Sequence, residues 1–334
     1  MLKRRTFLAA SLVAAAFAAL PASAQEMKEL NFGIISTESQ SNLKPNWMPF
    51  LADMEKGIGM KVNAFFAPDY AGIIEAQRFN KVQVAWYGNA SAIQAVDRAQ
   101  SEVFVQSVAH DGTQGYYSLL LAHKDSPINK LEDMLKAPGK FTFANGDPNS
   151  TSGFLVPSFY VFAQNKIDAK THFTRMVTGS HETNALAVAS KQVDLATNNT
   201  ESLDRLKITA PEKHAQIKEV WRSPLIASDP LVWRTDLPAP VKQKVKTFLL
   251  TYGTKQAGKS EDIEKQELAV LNKLQWAPFR ESSNKQLIPF RELALFRDRT
   301  KIENDEKLSA ADKAKQINEI DLKLTDLKKQ AANS

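Results

Sequence analysis

The chain has 334 residues, no cysteine, and 43 lysines and arginines against 37 acids, for a formal charge of +6. The absence of cysteine excludes disulfides, thiolate metal sites, cysteine nucleophiles and a lipid-bearing cysteine anchor. Lys3, Arg4 and Arg5 carry half of the charge excess, and the remaining basic residues are interspersed with acids, so no nucleic-acid footprint is present.

The first element in the chain is a leader. A basic start, an apolar run of 14 residues from Phe7 to Leu20, and Ala22-Ser23-Ala24 make a secretory signal over residues 1–24, cleaved before Gln25. The run is shorter than the roughly 20 residues that a membrane-spanning helix takes, so a soluble periplasmic product is expected. Arg4-Arg5-Thr6-Phe7-Leu8 also fits a twin-arginine signal, which leaves both export routes open.

The remaining 310 residues exceed a typical single core, and two lobes are expected. Two segments align at a shift of 111 positions, Ala67-Pro68-Asp69-Tyr70 with Thr178-Gly179-Ser180-His181 and Val82 to Ala85 with Val193 to Ala196. In each copy a β-rich stretch (Val62 to Phe66; Thr174 to Val177) meets a polar turn, a helical pattern and a short strand.

Upstream, Leu30 to Ser36 and Phe141 to Ala144 read as strands, followed by helices at Trp47 to Lys56 and Phe154 to Gln164. Each half is therefore βαβαβ, an α/β unit with a mostly parallel sheet flanked by helices. Lobe one is expected to hold residues 26–118 and 226–300, and lobe two residues 119–225, joined by crossing strands at Tyr116 to Ala122 and Lys218 to Trp233.

Gly253-Thr254-Lys255-Gln256-Ala257-Gly258-Lys259-Ser260 matches the phosphate-loop pattern. Such a loop follows a buried strand, whereas Val241, Val245, Phe248 and Leu249 have helical spacing, so Gly253 reads as a helix terminator and the match as accidental. Residues 301–334 form a helical extension with Leu308, Ile317, Ile320, Leu324 and Leu327 on an amphipathic stripe. Packing back onto lobe one and pairing with a second copy are both open to it.

Ligands of open α/β sheets bind beyond the carboxyl ends of strands, which points to the turns at Ser36 to Ser41, Asp69-Tyr70, Asn149 to Gly153, Ser180-His181 and Asn198 to Glu201. Ser150, Thr151 and Ser152 precede a helix, an anion-binding arrangement; a simple cap needs only one of the three hydroxyls. His181 is a possible donor to an oxyanion, paired through the repeat with Tyr70. Glu201 reads first as an acid at a helix start, and Asp229, before Pro230, as a turn residue. His110, His123, His172 and His214 have no metal-ligand or nucleophile spacing, so no metal site and no catalytic residue is assigned. Ser150 with His181 is the pair on which an enzyme would rest.

Asn31 to Glu38, Phe65 to Ile74, Gly146 to Pro157, His181 to Ala187 and Trp276-Ala277-Pro278-Phe279-Arg280 closely resemble the phosphonate-binding proteins of ABC importers, over essentially the whole mature chain. The resemblance implies a two-lobed, type II-like periplasmic binding fold, no enzymatic activity and no cofactor. It also implies a membrane permease and its ATPase as partners, and lobes that close on binding. It assigns the phosphonate oxygens to Tyr70, Ser150, Thr151, Ser152 and His181, and the amine of 2-aminoethylphosphonate to Tyr116, Glu201 and Asp229. A phosphonate held by hydroxyls and helix-end N–H groups needs no buried lysine or arginine. Two acids beside an anion site demand a ligand that also carries positive charge, which argues against phosphite and methylphosphonate.

Overall fold

A computed structural model describes residues 27–332, so the expected signal at 1–24 lies outside the described residues. Lobe one begins with β1 (Glu29–Ile34), α1 (Gln40–Ile58), β2 (Lys61–Phe66), α2 (Tyr70–Arg78) and β3 (Val84–Trp86). These are followed by α3 (Asn89–Arg98) and β4 (Ser101–Ala109). The chain then passes through β5 (Gly115–Tyr116) into lobe two, which opens with β6 (Ser118–His123), α4 (Leu131–Leu135) and β7 (Thr142–Asn145).

Two π-helical turns follow, at Thr151–Leu155 and Ser158–Ala163, and then α5 (Ala169–His172), β8 (Arg175–Thr178), α6 (His181–Ala189) and β9 (Leu195–Asn199). Lobe two ends with α7 (Thr200–Thr209), α8 (Pro211–His214) and β10 (Ile217–Arg222). The return runs through β11 (Ile226–Ala227) to β12 (Pro230–Arg234), α9 (Ala239–Thr251), α10 (Glu261–Lys273) and β13 (Trp276–Glu281). The chain closes on α11 (Ile288–Asn304) and α12 (Ala310–Ala332).

The strands form a six-stranded sheet in the order β13-β4-β12-β3-β1-β2 and a five-stranded sheet in the order β10-β6-β9-β7-β8. Within each repeat the strands are parallel, β2-β1-β3 in one lobe and β8-β7-β9 in the other, as the βαβαβ pattern predicts. The sheets as wholes are mixed, because the strands flanking the crossings, β12 and β6, pair antiparallel with β3 and β9. The link between lobes is a two-residue antiparallel ladder, Tyr116 opposite Ile226 and Gly115 opposite Ala227. Most of the expected crossing from Tyr116 to Ala122 is therefore strand β6, inside the sheet of lobe two.

Strands β3, β6, β9 and β12 are buried at every residue, because both faces of their sheets are covered. In lobe one, Leu30, Phe32 and Ile34 of β1 pack on Trp47, Phe50 and Met54 of α1. α1 begins at Gln40, earlier than the Trp47 its apolar pattern implied, and holds Pro45 and Pro49 within it. Lobe two has apolar clusters on both faces of its sheet, one around Phe143 and Phe162 and one around Leu121 and Val188.

In the phosphate-loop look-alike, α9 precedes Gly253, whose φ of +70° is the left-handed geometry glycine tolerates. The Lys259 amine is held by Glu267 at 2.8 Å and by the carbonyl of Thr251 at 2.6 Å. At the carboxyl end, α11 starts against α3 of lobe one and lies along the second π-helical turn of lobe two, where Phe296 meets Phe159. The final helix α12 packs along α11 and buries Ile320, Leu324 and Leu327. Its apolar stripe thus packs within the chain, against a helix that spans both lobes. Among the described residues no helix is long and apolar enough to cross a membrane.

Candidate ligand-binding site

The loops beyond β1, β2, β3, β7, β8 and β9 converge where the two sheets face each other, and the lobes are closed over a narrow pocket. Its anion-like end is built by the loop after β7. Gly146 N–H donates to the carbonyl of Gly153 at 3.0 Å, which folds the loop tightly back on itself. Ser150 then caps the π-helical turn, its Oγ accepting from Gly153 N–H at 2.9 Å, and the next two hydroxyls fall at the helix start. All three hydroxyl residues are buried, at 2 % exposure or less.

His181 and Tyr70 occupy the same place in the two halves, each the first residue of the helix after the second strand of its repeat. His181 Nε2 lies 3.4 Å from Ser150 Oγ and 3.5 Å from Ser152 Oγ. Tyr70 comes from lobe one and its hydroxyl interacts with Ser150. Burial, with the nearby carboxylates Asp229 and Asp147, pushes the Tyr70 phenol up, so it stays a proton donor. Burial and then the Arg205 guanidinium push the His181 imidazole down to about 3, so the ring is neutral at physiological pH.

That neutrality has a sign that can be measured. Between pH 7 and 5 an unfolded chain protonates this histidine and the folded one does not, so acidification costs stability through this group. Replacing His181 with Gln is expected to flatten the fall in urea-unfolding free energy between pH 7 and 5. An unchanged slope would show that the ring does not titrate as a buried neutral group.

The pocket also holds two acids. Asp229, 6 % exposed, lies between β11 and β12 and accepts a hydrogen bond from Tyr116 Oη at 2.8 Å. Glu201 sits in the first turn of α7. Burial pushes the Asp229 carboxyl well up, with the charge of Glu201 adding to it. Burial also raises Glu201, opposed by Arg205 and reinforced by Asp204. Two carboxylates are thus held where neither favours its charged form, and a cation between them would relieve both.

The eight residues singled out from sequence all line this one pocket. Sequence reasoning missed six others that line it: Ile35, Thr37, Trp86, Gly88, Asn199 and Arg205. Thr37 and Asn199 belong to turns that the repeat had marked, but no single residue there stood out. Asn199 caps α7 by accepting from Ser202 N–H at 2.7 Å, and its amide then donates to Ser152 Oγ at 3.0 Å. Arg205 was legible in principle, four residues after Glu201 and so on the same face of α7.

Arg205 corrects the expectation of a pocket with no buried cation. Its guanidinium lies at the pocket and pairs with Glu38 of the other lobe, which together with Glu201 keeps it charged despite burial. Thr37 Oγ1 and His181 Nδ1 are buried with no hydrogen-bond partner in the protein. Polar atoms so placed are normally paired, which marks the pocket as made for a polar ligand. Among the described residues no cluster of three metal-ligating side chains occurs.

Two α/β lobes on a short ladder, closed over a polar pocket that draws on helix starts from both, define a two-lobed substrate-binding protein. The family model for the phosphonate periplasmic substrate-binding proteins of ABC transporters matches residues 32–287, and the chain belongs to that family. The phosphonates-binding periplasmic protein of Escherichia coli (strain K12) is 58% identical over 92% of this chain and 88% of its own length. The crystal structure of a binding protein component of an ABC phosphonate transporter from Pseudomonas aeruginosa superposes with a TM-score of 0.87. It shares 52% identity over 92% of this chain and 99% of that one. A phosphate-import protein of Mycolicibacterium smegmatis is 30% identical over 66% of this chain and 70% of its own length. As a family these are the substrate-binding components of ABC transporters.

Proposed function

We propose that this chain captures 2-aminoethylphosphonate, or a related aminoalkylphosphonate, in the periplasm and delivers it in the closed form to a membrane permease with its ATPase. The carrying observation is the lining of the pocket, where three hydroxyls, a neutral imidazole and a phenol meet the buried Glu201–Asp229 pair. Ser150, Thr151, Ser152, His181 and Tyr70 would donate to the phosphonate oxygens. Tyr116, Glu201 and Asp229 would surround the ammonium group. The leader at residues 1–24 supplies the route to the periplasm, and Leu322 of α12, 60% exposed, offers a contact for a second copy.

Titration calorimetry of the mature chain against 2-aminoethylphosphonate, methylphosphonate, phosphite and phosphate at one pH and salt concentration tests this. Binding led by 2-aminoethylphosphonate is the expected result. Preference for phosphite or methylphosphonate would keep the anion end and strip the acidic pair of its role. Preference for phosphate, the ligand in the name of the Mycolicibacterium relative, would do the same. Phosphonate turnover, followed by phosphorus NMR over hours, would instead make Ser150 and His181 an enzyme's pair.

A further inference from the structure

Three helices of lobe one begin at the cleft, and each has an early N–H group met by an acceptor from lobe two. At α3 the N-cap is Gly88, which has no side chain to offer, and Ala90 N–H donates to Thr151 Oγ1 at 2.8 Å. At α2, Tyr70 N–H donates to Asp147 Oδ2 at 3.2 Å, although that helix also has its own cap in Asp69. The case of α1 is the most one-sided. Its N-cap Ser39 makes no side-chain cap bond, and its first turn holds no acid. The carboxylate at its start is Glu182, from α6 of lobe two, which accepts from Ser39 N–H at 2.8 Å and from the side-chain amide of Asn42. The backbone N–H of Glu182 returns a bond to the carbonyl of Thr37 at 3.4 Å.

A helix start leaves N–H groups without partners inside the helix, and a carboxylate there is favoured by the helix dipole as well as by the hydrogen bond. Since α1 lacks such a group of its own, the groups that Glu182 satisfies are met only by water when the lobes part. Neither Glu182 nor Asn42 lines the ligand pocket. We infer that Glu182 is an interlobe latch, capping α1 in trans, and that it sets how long the closed form holds any ligand without selecting among ligands. It is a positioning residue.

The inference rests on phosphonate binding in this cleft, and the two are separable by experiment. Stopped-flow dissociation of 2-aminoethylphosphonate and of methylphosphonate is measured for the mature chain and for Glu182→Ala, Asn42→Ala and the double variant. Loss of a helix cap predicts dissociation faster by about 3- to 30-fold for Glu182→Ala. The factor should be the same for both ligands, with the association rate and the unliganded melting temperature unchanged. Because Asn42 and Glu182 share one bond, the double variant should be no faster than the product of the singles and close to Glu182→Ala alone. Unchanged dissociation overturns the latch, as does a factor that differs more than about threefold between the ligands or a lowered unliganded melting temperature. A wild-type chain that binds neither phosphonate overturns the ligand assignment instead.

Discussion

Asp229→Asn is expected to weaken 2-aminoethylphosphonate by roughly 30-fold to several thousand-fold while leaving methylphosphonate unchanged or slightly tighter. Removing one partner of a buried charge pair costs about 2–5 kcal/mol, and Asp229 is buried, bonded to Tyr116 and crowded by Glu201. Asparagine keeps the shape and an acceptor for Tyr116, so the loss reads the charge alone. Glu201→Ala should show the same selectivity. Equal losses for both ligands, measured by titration calorimetry, would mean that the acids only support the fold of the pocket.

The same pair predicts a difference in pH dependence. Closing the lobes over a ligand without a cation raises the Asp229 carboxyl, through burial first and Glu201 second, so closure takes up a proton. Methylphosphonate should therefore tighten as pH falls toward the ordinary carboxylate range, relative to its behaviour in Asp229→Asn. With 2-aminoethylphosphonate the ammonium group offsets that rise, and the two proteins should differ in the opposite sense.

Gly146→Ala is expected to cost about 100-fold in affinity for every phosphonate, because overpacking against an unyielding neighbour is worth up to about 3 kcal/mol. A Cβ at that position would lie 2.5 Å from Gly153 Cα and 2.6 Å from its carbonyl oxygen, and those are backbone atoms that cannot rotate away. The loop would have to open, taking the Ser150, Thr151 and Ser152 hydroxyls with it. Circular dichroism should show the fold retained. Wild-type affinity in this variant would refute the role of the tight Gly146–Gly153 approach.

Much of this was legible in the sequence for a plain physical reason. β-rich stretches and polar turns recur at a fixed shift, and β2 and β8 begin and end within one residue of the stretches read from pattern. The turns at the strand ends then located the pocket before any side chain was placed. The antiparallel β12 was harder, since its pairing with both β3 and β4 is a long-range choice of the lobe that local pattern does not encode. The winding of Thr151–Leu155 as a π-helical turn is likewise invisible to a test for ordinary helical spacing. Arg205 escaped because an arginine four residues after an acid on a helix reads as a surface pair, whereas its partner Glu38 is 167 residues away.

The ladder of Gly115–Tyr116 with Ile226–Ala227 fixes more than the connection between lobes. Rotation about an axis displaces atoms in proportion to their distance from it, and Tyr116 lies on that ladder with Asp229 two residues beyond it. Were the lobes to open about that ladder, their 2.8 Å bond would travel little, whereas the approach of Tyr70 to Ser150 would part. A bound zwitterion would then leave like a boat swinging out on its mooring, the phosphonate released first and the ammonium group held last at the pivot.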